Sequence, residues 1–397
     1  MTDFQATRAM FDIPDGIVYL DGNSLGPLPR NVAQRVASCI REEWGEMLIT
    51  GWNRAGWMAL PDRIGGKLAR LIGASPGSVT MGDTLSIKLY QALAAALDLR
   101  KGRRVILSDT GNFPSDLYVA NGLCQMLGDS YALRTVAPDA VEDAIDESLA
   151  VLMITEVDYR TGRKHDMARL IEKAHRAGAL VVWDLAHSAG AIPVDVTGAK
   201  ADFAVGCTYK YLNSGPGGPA FIYIAPHLAN QVRPALAGWL GHAAPFAFEP
   251  DYRPAEGVSR MRVGTPPILQ LVALDAALDV WEGVDMADLR ARSLELQQIF
   301  IDRVTTACPE MTLASPVDPD ARGSQVSFRH ADGYAIIQAL IARGVIGDFR
   351  APDILRFGFA PLYLSHADIK HAARTLCEVM AARAWDTPEY HQRAAVT

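Results

Sequence analysis

Residues 179–218 read ALVVWDLAHSAGAIPVDVTGAKADFAVGCTYKYLNSGPGG, and this stretch decides the fold. It contains two buried-strand patterns, each closing on polar residues that an ordinary core would not place there. Ala179-Leu180-Val181-Val182-Trp183 stops at Asp184, with His187 three residues later. Ala201-Asp202-Phe203-Ala204-Val205-Gly206-Cys207 stops at Thr208-Tyr209-Lys210. In an open α/β sheet, ligands bind beyond the carboxyl ends of the strands. Asp184 and Lys210 can therefore face one pocket. A lysine that forms a Schiff base and an aspartate that pairs with a pyridinium nitrogen are what pyridoxal 5'-phosphate (PLP) chemistry asks of a protein.

Lys210 is one of eight lysines, and its context is unlike that of a solvated one. The small residues Asn213-Ser214-Gly215-Pro216-Gly217-Gly218 follow it and allow it to be enclosed. Desolvation lowers a lysine pKa toward that of a useful base. His187 alone reads as a buried, satisfied histidine; three residues after Asp184 it reads as a neighbour of the cofactor. Tyr209 points away from Lys210 if the chain stays extended and reaches the same site if the chain bends.

Outward from this stretch, strands alternate with helices. Val79-Thr80-Met81, Arg104 to Leu107, Ala150 to Ile154 and Phe221 to Ile224 read as strands, with helices between. That alternation from about residue 79 to 224 predicts a largely parallel sheet with crossover helices. Gly82-Asp83-Thr84-Leu85-Ser86 opens the helix that runs to Leu99, and a polar turn at a helix start suits an anion. Thr84 and Ser86 fit plain N-caps equally well. Phe113-Pro114-Ser115-Asp116 opens the next helix, where Phe113 suits stacking on a ring and Asp116 suits capping.

Residues 1–30 read as irregular. Tyr19 to Pro29 (YLDGNSLGPLP) is either a surface turn or a loop whose backbone approaches a ligand. Residues 31–50 carry helical periodicity, and Trp52 and Trp57 follow as a packing plug or an aromatic pocket wall. Residues 234–267 are loop-rich and long enough to suggest function. Beyond them, helices over 268–285, 287–307, 334–343 and 366–383 and strands near 325–328 and 354–358 form a separate α+β unit. The tail after Trp385 reads as peripheral. The implied division is 1–50, an N-terminal segment joining the small domain and an active-site loop; 51–267, a large cofactor domain; and 268–397, a small C-terminal domain with a linking helix.

Composition narrows the function classes. The 397 residues are 49% hydrophobic and 21% charged, with a net charge of −7. No basic block suggests nucleic acid, no apolar run suggests a membrane, and no leader pattern is read. The five scattered cysteines, Cys39, Cys124, Cys207, Cys308 and Cys377, fit reduced thiols of a cytoplasmic protein and no metal site.

With these motifs in view, the chain resembles the kynureninase family of fold-type I PLP enzymes, in the aminotransferase class V group. The resemblance spans nearly the whole chain. It rests on YLDGNSLGPLP (19–29), FPSD (113–116), DLAHSAG (184–190), YKYLNSGPGG (209–218), GWLGH (238–242), TPPI (265–268) and LRFGFAPLY (355–363). It implies the aspartate aminotransferase fold: a mostly parallel central sheet in a large domain and a smaller α+β domain. Lys210 matches the Schiff-base lysine and Asp184 the pyridinium partner, with His187 beside the ring. Leu85, Ser86, Phe113, Asp116, Thr155, Tyr209, Trp239 and Thr265 match cofactor contacts. Ser86 and Thr265 stand where some relatives have Thr and Asn. Arg356 matches the arginine that holds the substrate α-carboxylate, a task that suits a planar fork. Ser24, Trp52, Trp57, Trp239 and His242 are candidates for the substrate site. The resemblance further implies a homodimer with shared sites, Trp239 and Thr265 coming from the partner. It also implies hydrolysis of L-kynurenine, and of 3-hydroxykynurenine, to anthranilate (or its 3-hydroxy form) and L-alanine in tryptophan catabolism.

Three rival readings make distinct demands on the sequence. A cysteine desulfurase or related β-lyase of the same fold requires a reactive cysteine on a mobile loop. A ligand-sensing module of a transcription regulator requires a basic DNA-binding domain. A nicotinamide enzyme requires a GxGxxG turn after the first strand, which the sequence lacks.

Overall fold

The computed structural model describes residues 1–394. Eight strands come first in the chain: β1 Val18–Tyr19, β2 Val79–Met81, β3 Val105–Asp109, β4 Ala132–Val136, β5 Leu149–Thr155, β6 Leu180–Asp184, β7 Phe203–Gly206 and β8 Phe221–Ile224. Strands β2 to β8 form a seven-stranded sheet in the order β2-β8-β7-β6-β5-β3-β4. The β3/β4, β3/β5, β5/β6 and β6/β7 pairs are parallel, and β8 runs antiparallel to both neighbours. Every residue of β5 and β6 is buried, as strands covered on both faces must be, and their sequences are accordingly unbroken apolar runs ending in Thr155 and Asp184. The helix Leu85–Leu99 covers one face of this sheet, with Leu89, Leu93 and Ala96 fully buried.

Five further strands follow: β9 Thr312–Leu313, β10 Gln325–Arg329, β11 Val345–Ile346, β12 Asp348–Arg350 and β13 Ile354–Gly358. Four of them make an antiparallel sheet in the order β12-β13-β10-β9, with the helices Met286–Ala307 and Gly333–Ile341 against its strands and His366–Ala381 packed on those helices. The fifth, β11, pairs with β1 in parallel, Val18 opposite Val345. The N-terminal segment is thereby sewn to the C-terminal region, and the Tyr19–Pro29 loop runs from there to the large sheet.

Residues 1–30 are not wholly irregular. Phe4–Ala9 is a helix, capped by Asp3, whose carboxylate accepts from the N–H groups of Gln5 and Ala6. One and a half turns carry too little periodicity to be read. Its anchors are tertiary: Thr7 donates to the Leu362 carbonyl at 2.9 Å. Strand β4 also lacks a readable pattern, because it is the sheet edge, half-exposed and interrupted by Arg134. After Trp385, which is buried against His330, the chain lies largely exposed on the small unit; residues 395–397 fall outside the described residues. Among the described residues no helix is long and apolar enough to cross a membrane.

Candidate active site

Parallel register places the decisive groups side by side. Thr155 ends β5 opposite Asp184, which ends β6, and Asp184 lies opposite Val205 of β7. A cavity of 360 Å³ opens beyond these ends. Thr155, Asp184, His187, Tyr209 and Lys210 all line it. The chain bends after β7, so Tyr209 and Lys210 reach the same space, with Lys210 Nζ 5.8 Å from the centre of the Tyr209 ring and 5.9 Å from that of Phe113. Lys210 Nζ is 3.0 Å from His187 Nε2. Burial and the nearby Lys210 push the His187 pKa well below the usual histidine value, so the ring is neutral beside the lysine.

One carboxylate, Asp184, lines the cavity, and a second, Asp116, is buried against it. Asp184 is 2% exposed; it accepts from the Ala186 N–H at 2.8 Å and from the Thr155 hydroxyl at 3.3 Å. Asp116 is 1% exposed, and neither of its oxygens has a hydrogen-bond partner among the described residues. It is therefore not a helix cap. Burial, then the charge of Asp184, raises the Asp116 pKa well above the ordinary carboxylate range; burial also raises Asp184, with Lys210 opposing. Orphaned acceptors in a dry corner are costly unless a donor or cation joins them. A protonated ring nitrogen over Asp184 would add positive charge beside this buried acid pair.

The opposite end suits an anion. Thr84 occupies the N-cap position of the helix Leu85–Leu99, yet its side chain makes no capping bond. The first-turn N–H groups lack intrahelical acceptors, and Thr84, Leu85 and Ser86 line the cavity together with Gly217 and Gly218. Plain capping does not explain these hydroxyls. Behind the turn, fully buried Lys88 donates to the Met261 carbonyl (2.9 Å) and pairs with Asp83 (3.0 Å), a residue at φ +56°. This brace joins the turn to the 257–261 loop; a lone lysine in an apolar helix gave no sign of it. A ring held over Asp184 with its phosphate at Ser86 thus fits the residues present.

The third wall is polar. Arg356, 2% exposed at its side chain, holds Asp348 through Nε at 2.8 Å and through Nη2, and Ser24 accepts from Arg356 Nη2 at 2.7 Å. Arg350 lines the cavity beside them. It escaped the sequence reading because it belongs to a three-residue strand whose facing depends on its register with β13.

Besides Asp116, five anticipated residues do not line this cavity within the chain: Trp239, Thr265, His242, Trp52 and Trp57. Trp239 is 40% exposed and meets Phe246 edge-on at 5.7 Å. Thr265 is exposed on the same loop region. His242 is buried among its own loop, where Nδ1 accepts from the Ala244 N–H at 2.9 Å. Trp52 packs edge-on against Trp57 at 5.6 Å. Among the described residues no group of His, Cys, Asp and Glu could hold a metal.

The kynureninase C-terminal domain model matches residues 289–376. The chain is 49% identical to a kynureninase of Pseudomonas fluorescens over 98% of its own length and 95% of the relative's. A kynureninase of Burkholderia pseudomallei (strain 1106a) matches at the same identity and coverage. The chain belongs to the kynureninase family. Solved structures at lower identity share the fold of this kynureninase-family chain. A cysteine desulfurase from Thermococcus onnurineus NA1 superposes with a TM-score of 0.81 at 18% identity, covering 96% of this chain and 99% of the other. A C-DES variant with glycine covalently linked to its PLP cofactor gives 0.81 at 19%, over 95% and 100%. The fold is that of fold-type I enzymes, with a mostly parallel sheet.

Proposed function

We propose that this chain is a PLP-dependent kynureninase that hydrolyses L-kynurenine, and 3-hydroxykynurenine, to anthranilate (or its 3-hydroxy form) and L-alanine. The observation that carries the reading is the convergence of Lys210, Asp184, Tyr209 and Arg356 on one cavity in a member of this family. Lys210 would hold the cofactor covalently, Asp184 would pair with its ring nitrogen, His187 and Phe113 would contact the ring, and Leu85 and Ser86 would hold its phosphate. Asp116 and Thr155 support Asp184. When bound, PLP supplies an electron sink for bond breaking at the α- and β-carbons of an amino acid.

The chain's own groups do the remainder. Arg356 and Ser24 orient the α-carboxylate. Lys210 Nζ moves the proton at the substrate Cα. The Tyr209 phenol, kept protonated by its neighbour Cys207 and by burial, donates and recovers a proton as water adds to the γ-carbonyl and the Cβ–Cγ bond breaks. The water oxygen leaves in the anthranilate carboxylate, and Cβ gains a proton to become the alanine methyl. We further propose a cytoplasmic homodimer whose partner supplies Trp239 and Thr265 to the cofactor and His242 and Trp52 to the aryl pocket. The division 1–50, 51–267 and 268–397 is proposed with it.

A desulfurase would need a cysteine at the substrate. Cys39, Cys124, Cys207 and Cys308 are buried, and among the described residues no cysteine lines the cavity. The test is to add L-kynurenine to the PLP-loaded protein and follow anthranilate fluorescence. Steady anthranilate release is expected; a visible cofactor band with no anthranilate would remove the substrate assignment.

A further inference from the structure

We propose that Arg350 is a second arginine for the substrate α-carboxylate, acting beside Arg356 and fixing the preference for a free acid. This rests on the reading above, that an α-amino acid enters this cavity. It follows from counting donors and charges at the arginine end.

A guanidinium has five N–H donors. Arg356 has four of them engaged. Nε donates to Asp348 Oδ1 at 2.8 Å, Nη2 to Asp348 Oδ2 and to Ser24 Oγ at 2.7 Å, and Nη1 to the Tyr159 carbonyl at 2.6 Å. The edge that would grip a carboxylate bidentately already grips Asp348. One N–H remains, too few for a forked contact. Arg350 is less committed. Its Nη2 reaches Asp348 Oδ2 at 2.8 Å and Ser24 Oγ at 3.3 Å. Its Nε is buried with no hydrogen-bond partner among the described residues.

The charges agree. Arg356 and Asp348 form a neutral pair, both nearly inaccessible, and the arginines hold Asp348 below the usual carboxylate range against its burial. Asp21, the other carboxyl of the cluster, is pushed up to about 7 by burial and by Asp348, so near neutrality it is partly uncharged and adds less than a full negative charge. The positive charge left over belongs to Arg350. An incoming α-carboxylate is the anion that balances it. Backbone geometry delivers the group: Asp348 and Arg350 lie two apart on β12 and share a face, and Asp348 is directly opposite Arg356 of β13. The Arg350 side chain is 38% exposed against 2% for Arg356, so it is the arginine that a ligand entering from solvent meets.

The test uses the PLP-loaded enzyme, with L-alanine and L-alaninamide as ligands differing only in the carboxylate, titrated by the cofactor absorbance. Wild type should bind the acid more tightly than the amide. Arg350→Met should weaken L-alanine by about 10- to 100-fold, the range for hydrogen bonds to charged groups, and leave L-alaninamide within about 3-fold. Arg350→Lys, which keeps charge and loses the fork, should fall between. With L-kynurenine, Arg350→Met should raise KM far more than it lowers kcat. Equal weakening of acid and amide in either variant would make Arg350 merely structural, and unchanged alanine affinity would overturn the proposal outright. If wild type forms no anthranilate, the kynurenine reading fails instead, and the acid–amide comparison still decides Arg350.

Discussion

Glu156 offers a stability test of how the site is built into the sheet. It directly follows Thr155 at the end of β5; its N–H donates to the Asp184 carbonyl at 3.0 Å and its carbonyl accepts from His165 at 2.9 Å. Its side chain is buried, with Oε2 unpartnered among the described residues. Burial raises its pKa to about 7 from an ordinary 4.5, against the opposing pull of the Ser188 hydroxyl and the Lys164 charge. A carboxyl raised in the folded state binds its proton more tightly there than in the unfolded chain. Its contribution is therefore fully present below pH 4.5 and is lost as the pH rises through 7. Relative to the protonated limit, the loss is about 0.8 kcal/mol at pH 5 and about 3.3 kcal/mol at pH 8. Glu156→Gln keeps the shape and removes the titration. Across that interval the wild type should thus lose about 2.5 kcal/mol more than the variant.

For a chain of 397 residues the unfolding entropy is about 0.8 kcal/mol/K, so this difference is about 3 °C in Tm. The assay is calorimetric or near-UV thermal unfolding at pH 5, 6, 7 and 8, at fixed protein and cofactor concentrations because ligand binding shifts Tm. Only the difference between the two proteins is read, which cancels the titrations they share. Parallel Tm–pH curves for wild type and Glu156→Gln would refute the reasoning.

Two further outcomes follow from the geometry. A Cβ on Gly26 would lie 2.3 Å from the Lys210 carbonyl oxygen and 2.7 Å from Asn213 Cα, so Gly26→Ala must displace the loop that donates to the Tyr209 carbonyl; kcat/KM should fall by about 10-fold or more with far-UV circular dichroism unchanged, and undiminished activity would contradict the close approach. Asp184 lines the cavity whereas Asp116 does not, and burial and the Asp184 charge raise the Asp116 pKa well above the carboxylate range, so Asp116→Asn should cost less than about 10-fold in kcat and Asp184→Asn about 100-fold or more; equal losses in steady-state assays would show that the two carboxylates are not distinguished.

Much of this was legible because buried parallel strands write themselves plainly. Strands β5 and β6 are apolar throughout, so Thr155 and Asp184 stand out as the polar residues that end them. Lys210 stands out likewise after β7. The Tyr19–Pro29 loop is ambiguous in sequence because its role comes from the packing of Gly26 against the Lys210 backbone, a contact between distant segments. Strand β4 was invisible because an edge strand need not be apolar. Arg350 and Asp348 were missed because their roles come from antiparallel pairing with β13, a register that local composition does not encode. Trp239, Thr265, His242 and Trp52 carry a family pattern, but a single chain does not bring them to the cavity.

The central claim is that the Asp184–Lys210 stretch anchors a cofactor while the surrounding loops select kynurenine hydrolysis. The most direct measurement records the visible cofactor band, anthranilate fluorescence and released alanine together as L-kynurenine is added to wild type and to Lys210→Ala. The account predicts a visible band in wild type, with anthranilate and alanine in equal amounts, and neither product from the variant. Product formation by Lys210→Ala at the wild-type rate, or alanine released without anthranilate, would contradict it.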